Sequence, residues 1–188
     1  MIILIGGAGY AGKTLMAQKL LEKYKIPYLS IDHLKMGIYR SDADSGFTPS
    51  DSLEHIGEKL WGILKGIIMT NIENRQNLII EGAYLMPEKI KELDFDIEYS
   101  NNIISFYMGF SKEYIEKYFY PEVIENMRVI ENRGYENGDT SEDYIAENAK
   151  VKKMCEDSGA QYFEIDGEYE KETEKIYEWI DKKIKGRA

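Results

Sequence analysis

An apolar, β-branched run at residues 2–5 leads into Gly7-Ala8-Gly9-Tyr10-Ala11-Gly12-Lys13-Thr14, and then into a helical pattern carrying Leu15, Met16, Leu20 and Leu21. The loop matches G-x-x-x-x-G-K-[ST] at every fixed position, and its flanks supply the strand and the helix that such a loop joins. A turn wrapped this tightly needs backbone where side chains collide, which Gly7, Gly9 and Gly12 provide. Successive N–H groups then point inward as an anion nest, and the helix that follows adds the positive end of its dipole. From this position Lys13 reaches the β- and γ-phosphate oxygens of a nucleoside triphosphate, and Thr14 offers a hydroxyl to Mg²⁺. The expected triphosphate cradle is the whole loop, Ala8, Tyr10 and Ala11 included.

The rest of the chain alternates. Strands are expected at residues 2–5, 28–31, 78–80, 103–108 and 161–165. Between and after them lie helical patterns at 34–39, 51–74, 88–93, 112–133 (broken near Pro121), 140–158 and 173–184. Asp51 and Glu54 have capping-box spacing at the start of the long helix, and Thr140 or Ser141 caps a later one. Alternation of this kind predicts a three-layer α/β fold, a five-stranded parallel sheet with helices on both faces. Gly57, Gly62 and Gly66 interrupt the long helix, which predicts a close neighbour there, either another element or a ligand. Open parallel sheets bind ligands beyond the carboxyl ends of their strands. The residues expected there are the glycine-rich loop, Asp32-His33, Glu81-Gly82, Gly109-Phe110 and Asp166-Gly167.

Composition removes several function classes. A length of 188 residues fits one domain, and 43% hydrophobic residues suffice for a substantial core. The net charge of −10 argues against an extended nucleic-acid surface. No apolar stretch approaches the ~20 residues of a membrane span, so no membrane partner is expected. Met1 leads almost at once into the first strand with no basic segment, so no cleaved leader is expected. A single cysteine, Cys155, forbids an internal disulfide and suits a reducing, cytoplasmic setting; it is expected as a small packed helix residue. The acidic tract 136–147 reads as a solvated surface. Tyr114, Tyr118, Phe119 and Tyr120 form an aromatic cluster, used either for packing or as a substrate stack.

Three segments carry a family likeness. The loop Gly7–Thr14, SIDHLKMGIYR at 30–40 and LIIEGAYLMP at 78–87 resemble the small P-loop kinases of the adenylate-kinase-like fold. EGAYLMP is similar to 2-phosphoglycerate kinases, and the aspartate after strand two resembles the zeta-toxin and polynucleotide-kinase types, which phosphorylate hydroxyls. The resemblance implies a single kinase domain over 1–188, with an acceptor-binding helical segment at about 33–75 and a LID-like segment at about 111–145. It implies ATP and Mg²⁺ as cofactors. Asp32 then accepts the acceptor's proton or holds its hydroxyl in line; the plainer use of Asp32 is as a helix N-cap. Glu81 sits where a carboxylate meets Mg²⁺ or its waters, or else it binds a substrate hydroxyl. Arg128 and Arg133 fall in the LID segment and would stabilise charge on the transferring group, or they pair with Glu125, Glu131 or Glu136 on a helix surface. Lys35 and Arg40 hold an anionic group of the acceptor or lie on a solvated helix face. Asp166 and Gly167 match the loop on the base side of the nucleotide.

The expected function is transfer of the γ-phosphate of ATP to a hydroxyl of a small molecule. A nucleoside monophosphate kinase is the alternative enzyme, but Asp32 repels a phosphate acceptor and Arg40 is the only arginine near that side. A nucleotide-binding regulatory module without turnover is the alternative outside enzymes. The chain lacks N-K-x-D and D-x-x-G, which a GTPase switch needs. No residue pattern encodes the acceptor or an oligomeric state.

Overall fold

The computed structural model describes residues 1–95, 97–119 and 140–186. Pro121, Arg128, Arg133 and the loop at 134–139 lie outside the described residues. Five strands, β1 (Ile2–Gly7), β2 (Tyr28–Ser30), β3 (Leu78–Glu81), β4 (Ile103–Phe110) and β5 (Tyr162–Ile165), form one parallel sheet in the order β2-β3-β1-β4-β5. The central strand β1 is buried along its whole length, which is why residues 2–5 form an unbroken apolar run rather than an alternation. Its register sets Ile5 beside Glu81, and β2 sets Ser30 beside the same Glu81. The carboxyl ends of these three strands are thereby level.

The chain gathers into two compact units, residues 1–6 with 16–105 and residues 7–15 with 106–188. The first unit holds β2 and β3 and the helices α2 (Ile31–Ser41), α3 (Leu53–Glu73), α4 (Pro87–Ile90) and α5 (Ile97–Asn102), with a 3₁₀ turn over Lys91–Phe95. α1 (Lys13–Tyr24) begins in the second unit and continues in the first. On α3, Ile56, Leu60, Leu64, Ile68 and Ile72 recur every four residues and are all buried. The second unit holds α6 (Lys112–Tyr118), α7 (Ser141–Ser158) and α8 (Tyr169–Lys185). Phe106 is buried in its core, and the half-buried Phe163 and Trp179 pack with it, the three rings meeting edge to face at 5.5–5.9 Å. Cys155 is fully buried on α7, as expected for a packed thiol; burial raises its pKa to about 12.

Several local expectations change. α2 begins at Ile31, directly on the last residue of β2, so the N-cap position is Ser30 and Asp32 lies in the first helical turn. The capping use of Asp32 is therefore not realised. Ser52, rather than Asp51, caps α3 by accepting from the His55 N–H at 3.2 Å. Asp51 instead accepts from the backbone and hydroxyl of Thr48 at 2.8 and 3.0 Å, closing the turn before the helix. α8 starts four residues before the expected 173, and α5 was not foreseen. α7 keeps its expected start, with a full capping box between Thr140 and Asp143.

The three glycines of α3 also divide. A methyl group on Gly57 would lie 3.0 Å from the Tyr84 carbonyl oxygen and 3.5 Å from the Met86 side chain, whereas Gly62 and Gly66 face open space. The expected close neighbour exists at Gly57, and it is the loop after β3. Gly62→Ala and Gly66→Ala should each stabilise the protein by about 0.5–1 kcal/mol, the helix-propensity difference at an exposed site. Gly57→Ala should show no such gain. Urea denaturation of the three variants checks this, and a comparable gain at all three positions would contradict the packing described for Gly57.

Candidate functional site

The glycine-rich loop belongs to the second unit, as do Met108, Tyr144, Glu147 and Tyr169, which meet it. Gly7 adopts φ +135°, and a methyl group there would overlap the Met108 carbonyl of β4. The Ala8 N–H donates to that same carbonyl at 3.2 Å, so the loop starts pinned to the neighbouring strand. Gly12 adopts φ +80°, with the Tyr169 hydroxyl occupying the place of its missing side chain. No L side chain adopts either conformation without strain, and no other residue type would leave room. Tyr10 holds φ +57° without being glycine. Its ring lies 5.6 Å from that of Tyr144, a packing contact that helps hold the left-handed turn.

Lys13 opens α1 and is only 8% exposed. Its Nζ donates across the loop to the Ala8 carbonyl at 2.5 Å. The first turn of α1 contains no acidic residue, so no carboxylate of its own opposes the positive end of the helix dipole. The loop thus joins a buried ammonium to a helix start, two features of a phosphate site, while its Ala8, Gly9 and Ala11 N–H groups are bonded to protein acceptors.

α7 supplies contacts that the sequence did not announce. Tyr144, Glu147 and Asn148 stand at i, i+3 and i+4, on one helix face. Glu147 Oε1 accepts from the Gly9 N–H at 2.8 Å. Asn148 is buried; its Oδ1 accepts from the Phe110 N–H at 2.7 Å and its Nδ2 donates to the Tyr144 carbonyl at 2.8 Å. The acidic tract is therefore not wholly a solvated surface, because its last residue is bonded to the loop. The helical spacing was visible, but a run rich in acidic residues gives no sign of which carboxylate turns inward.

At the ends of β4 and β5, Ser111 donates through Oγ to Asp166 Oδ1 at 2.5 Å and accepts from the Tyr114 N–H at 3.0 Å. Asp166 thus ties the loop after β5, which includes Gly167, to the cap of α6. Phe110 stacks on Tyr114 with centroids 4.6 Å apart, and Tyr114 meets Tyr118 at 4.9 Å. Phe119 meets Tyr144 edge to face at 5.2 Å. The aromatic cluster is packing, for those of its members that are described; Tyr120 lies outside the described residues.

The first unit carries a second set of polar side chains. Lys35, 7% exposed, donates to Asp32 Oδ1 at 2.9 Å and to the Tyr84 hydroxyl at 2.6 Å, and its ammonium lies 4.9 Å from the Tyr84 ring centroid. Burial works to lower the Lys35 pKa, but the hydrogen bonds to Tyr84 and Asp32 outweigh it and the net shift is upward. Glu81 is 2% exposed at the end of β3. Arg40 and His33 are exposed on α2. Among the described residues no group of three or more His, Cys, Asp or Glu is arranged to hold a metal ion, and no helix is long and apolar enough to cross a membrane. Arg128 and Arg133 lie outside the described residues.

A family model described as zeta toxin matches residues 1–104 of the 188. No curated protein matches the sequence. Solved structures share the fold at low identity. A shikimate kinase from Bacteroides thetaiotaomicron superposes with a TM-score of 0.56 at 11% identity, covering 96% of this chain and 98% of that one. A gluconokinase from Sinorhizobium meliloti 1021 gives 0.54 at 12% identity, covering 90% and 85%. A deoxyadenosine kinase from M. mycoides, solved with dCMP and dCDP as products, gives 0.52 at 13% identity, covering 97% and 100%. The fold is that of the P-loop kinases of the adenylate-kinase-like type.

The Glu147 contact can be tested without any ligand. Glu147→Ala should remove the acceptor of the Gly9 N–H and speed its hydrogen exchange by about tenfold or more, since a charge-assisted bond is worth on the order of 1.5–3 kcal/mol. Glu147→Gln keeps a carbonyl acceptor and should change the rate far less. Equal exchange in all three proteins, read by NMR, would show that α7 does not hold the loop.

Proposed function

The chain belongs to the zeta toxin family, and on that premise we propose that it transfers the γ-phosphate of ATP to a hydroxyl of a small molecule. The observation that carries this reading is the loop of Gly7–Thr14 with its buried Lys13 ammonium bonded back to Ala8. An ammonium beside a glycine-rich turn and a helix start is complementary to the β- and γ-phosphates. The match of the loop to G-x-x-x-x-G-K-[ST] supports that ligand, and its shape depends on Gly7 and Gly12, where any side chain would meet Met108 or Tyr169. From sequence position, Thr14 would offer its hydroxyl to Mg²⁺, and Glu81 would hold the ion's waters or an acceptor hydroxyl. Such an ion would need few protein ligands. When bound, it neutralises charge on the phosphates.

Asp32 performs the acid–base step in this reading. It takes the proton of the acceptor hydroxyl as that oxygen bonds to the γ-phosphorus and the bond to the β–γ bridging oxygen breaks, leaving ADP. Its place in the first turn of α2, with its side chain 29% exposed, supports this use. A carboxylate there also disfavours a phosphate as acceptor, which weighs against a nucleoside monophosphate kinase. Arg128 and Arg133 are proposed from sequence position as the cations that meet charge on the transferring group. Asp166 and Gly167 belong to the base side, and Arg40 is left to meet a charged part of the acceptor.

Two variants separate binding from transfer. Lys13→Ala should weaken ATP binding by calorimetry or abolish transfer, because it removes the cation at the phosphates. Asp32→Asn should keep ATP affinity and melting temperature near wild type while transfer falls by ~10²–10⁴-fold, the usual worth of a placed acid–base group. Transfer is followed by mass spectrometry with a metabolite pool as acceptor. Full transfer in Asp32→Asn would refute the mechanism.

A further inference from the structure

We infer that Lys35 and Tyr84 form a positioning pair that holds the Asp32 carboxylate in one orientation, rather than a site for an anionic group of the acceptor. The inference rests on the reading of Asp32 as the group that handles the acceptor's proton. Lys35 is one helical turn along α2 from Asp32, so the two side chains fall on the same face. Two of the three ammonium hydrogens are committed, to Asp32 Oδ1 at 2.9 Å and to the Tyr84 hydroxyl at 2.6 Å. Taking up an anion of the acceptor would compete with these bonds. The ammonium also lies over the Tyr84 ring, which favours the charged form.

Burying a lysine is costly, and replacing a buried ion pair with apolar side chains is often neutral or stabilising. Stability alone therefore gives little reason for a lysine at a position that is 7% exposed. Orientation does. A carboxylate in the first turn of a helix, 29% exposed, can rotate about χ1 among staggered positions. A fixed cation selects one of them. The groups that act on Lys35 are Asp32 from its own helix and Tyr84 from the loop after β3. Tyr84 is itself held, because its backbone packs against α3 where Gly57 leaves room. The orientation of Asp32 is thus set by a chain of contacts running from α3 through the loop after β3 to α2.

The test uses the full-length protein and needs no acceptor. Scalar couplings about χ1 of Asp32, measured by NMR in isotope-labelled protein, should report a single rotamer in the wild type. Lys35→Met and Tyr84→Phe should each lose that pattern and show rotamer averaging, with melting temperatures close to wild type. The Lys35 ammonium should hold its proton to higher pH in the wild type than in Asp32→Asn or Tyr84→Phe. If Lys35→Met does not fold, Lys35→Gln and Tyr84→Phe carry the same measurement. An unchanged single rotamer in the folded variants would overturn the inference. The reading of Asp32 as base fails separately, through full transfer in Asp32→Asn, and that result would leave the coupling data as they stand.

Discussion

A glycine-rich turn with two strongly left-handed glycines has to be held in shape against its own flexibility. The loop of Gly7–Thr14 is held by bonds to neighbouring elements and across itself. Ala8 is tied to Met108, Gly9 to Glu147, and the Lys13 ammonium to the Ala8 carbonyl. Tyr10, strained at a positive φ, rests on Tyr144. These contacts hold the loop in its strained shape through protein atoms alone.

That requirement explains why the second unit is built as it is. Met108 belongs to β4, Tyr144, Glu147 and Asn148 to α7, and Tyr169 to the first turn of α8. β4 and α8 each bring one residue to the loop and α7 brings two, Tyr144 and Glu147, while Asn148 bonds the Phe110 N–H at the end of β4. Asp166 and Ser111 tie the turns after β5 and β4 to each other in the same way. The loop is thus braced on several sides by elements that lie more than ninety residues away in the chain.

The first unit solves a different electrostatic problem. Asp32, Lys35 and Glu81 are charged residues at or near strand ends, and two of them are buried. Lys35 is reconciled with burial by Asp32 and by an aromatic hydroxyl and ring from Tyr84. The same contacts restrict the carboxylate that the proposed chemistry uses. Precision and burial come from one arrangement, because a low-dielectric setting strengthens the hydrogen bonds that fix the geometry.

The fold class and the phosphate loop were legible in the chain because they depend on local rules. Residues 2–5 form an apolar run, the loop pattern follows, and apolar segments of strand and helix period alternate thereafter. Helix and strand boundaries drifted by a few residues where packing extended an element, as at α2 and α8. Asp32 stands out by its place after β2, yet whether it caps a helix depended on α2 starting at Ile31, which the tertiary structure decided. Glu147 and Asn148 could not be picked from an acidic helix, since helical spacing says which residues share a face but not which face turns inward. For the same reason Lys35 reads either as a contact for an anionic group or as a cation on a solvated helix face. Its burial requires Tyr84, nearly fifty residues onward, and the loop carrying Tyr84 requires the bare backbone of Gly57. Local sequence determines which residues can form a strand, a turn or a cap; only the folded chain, through contacts between distant residues, decides which charges are buried and what each one holds.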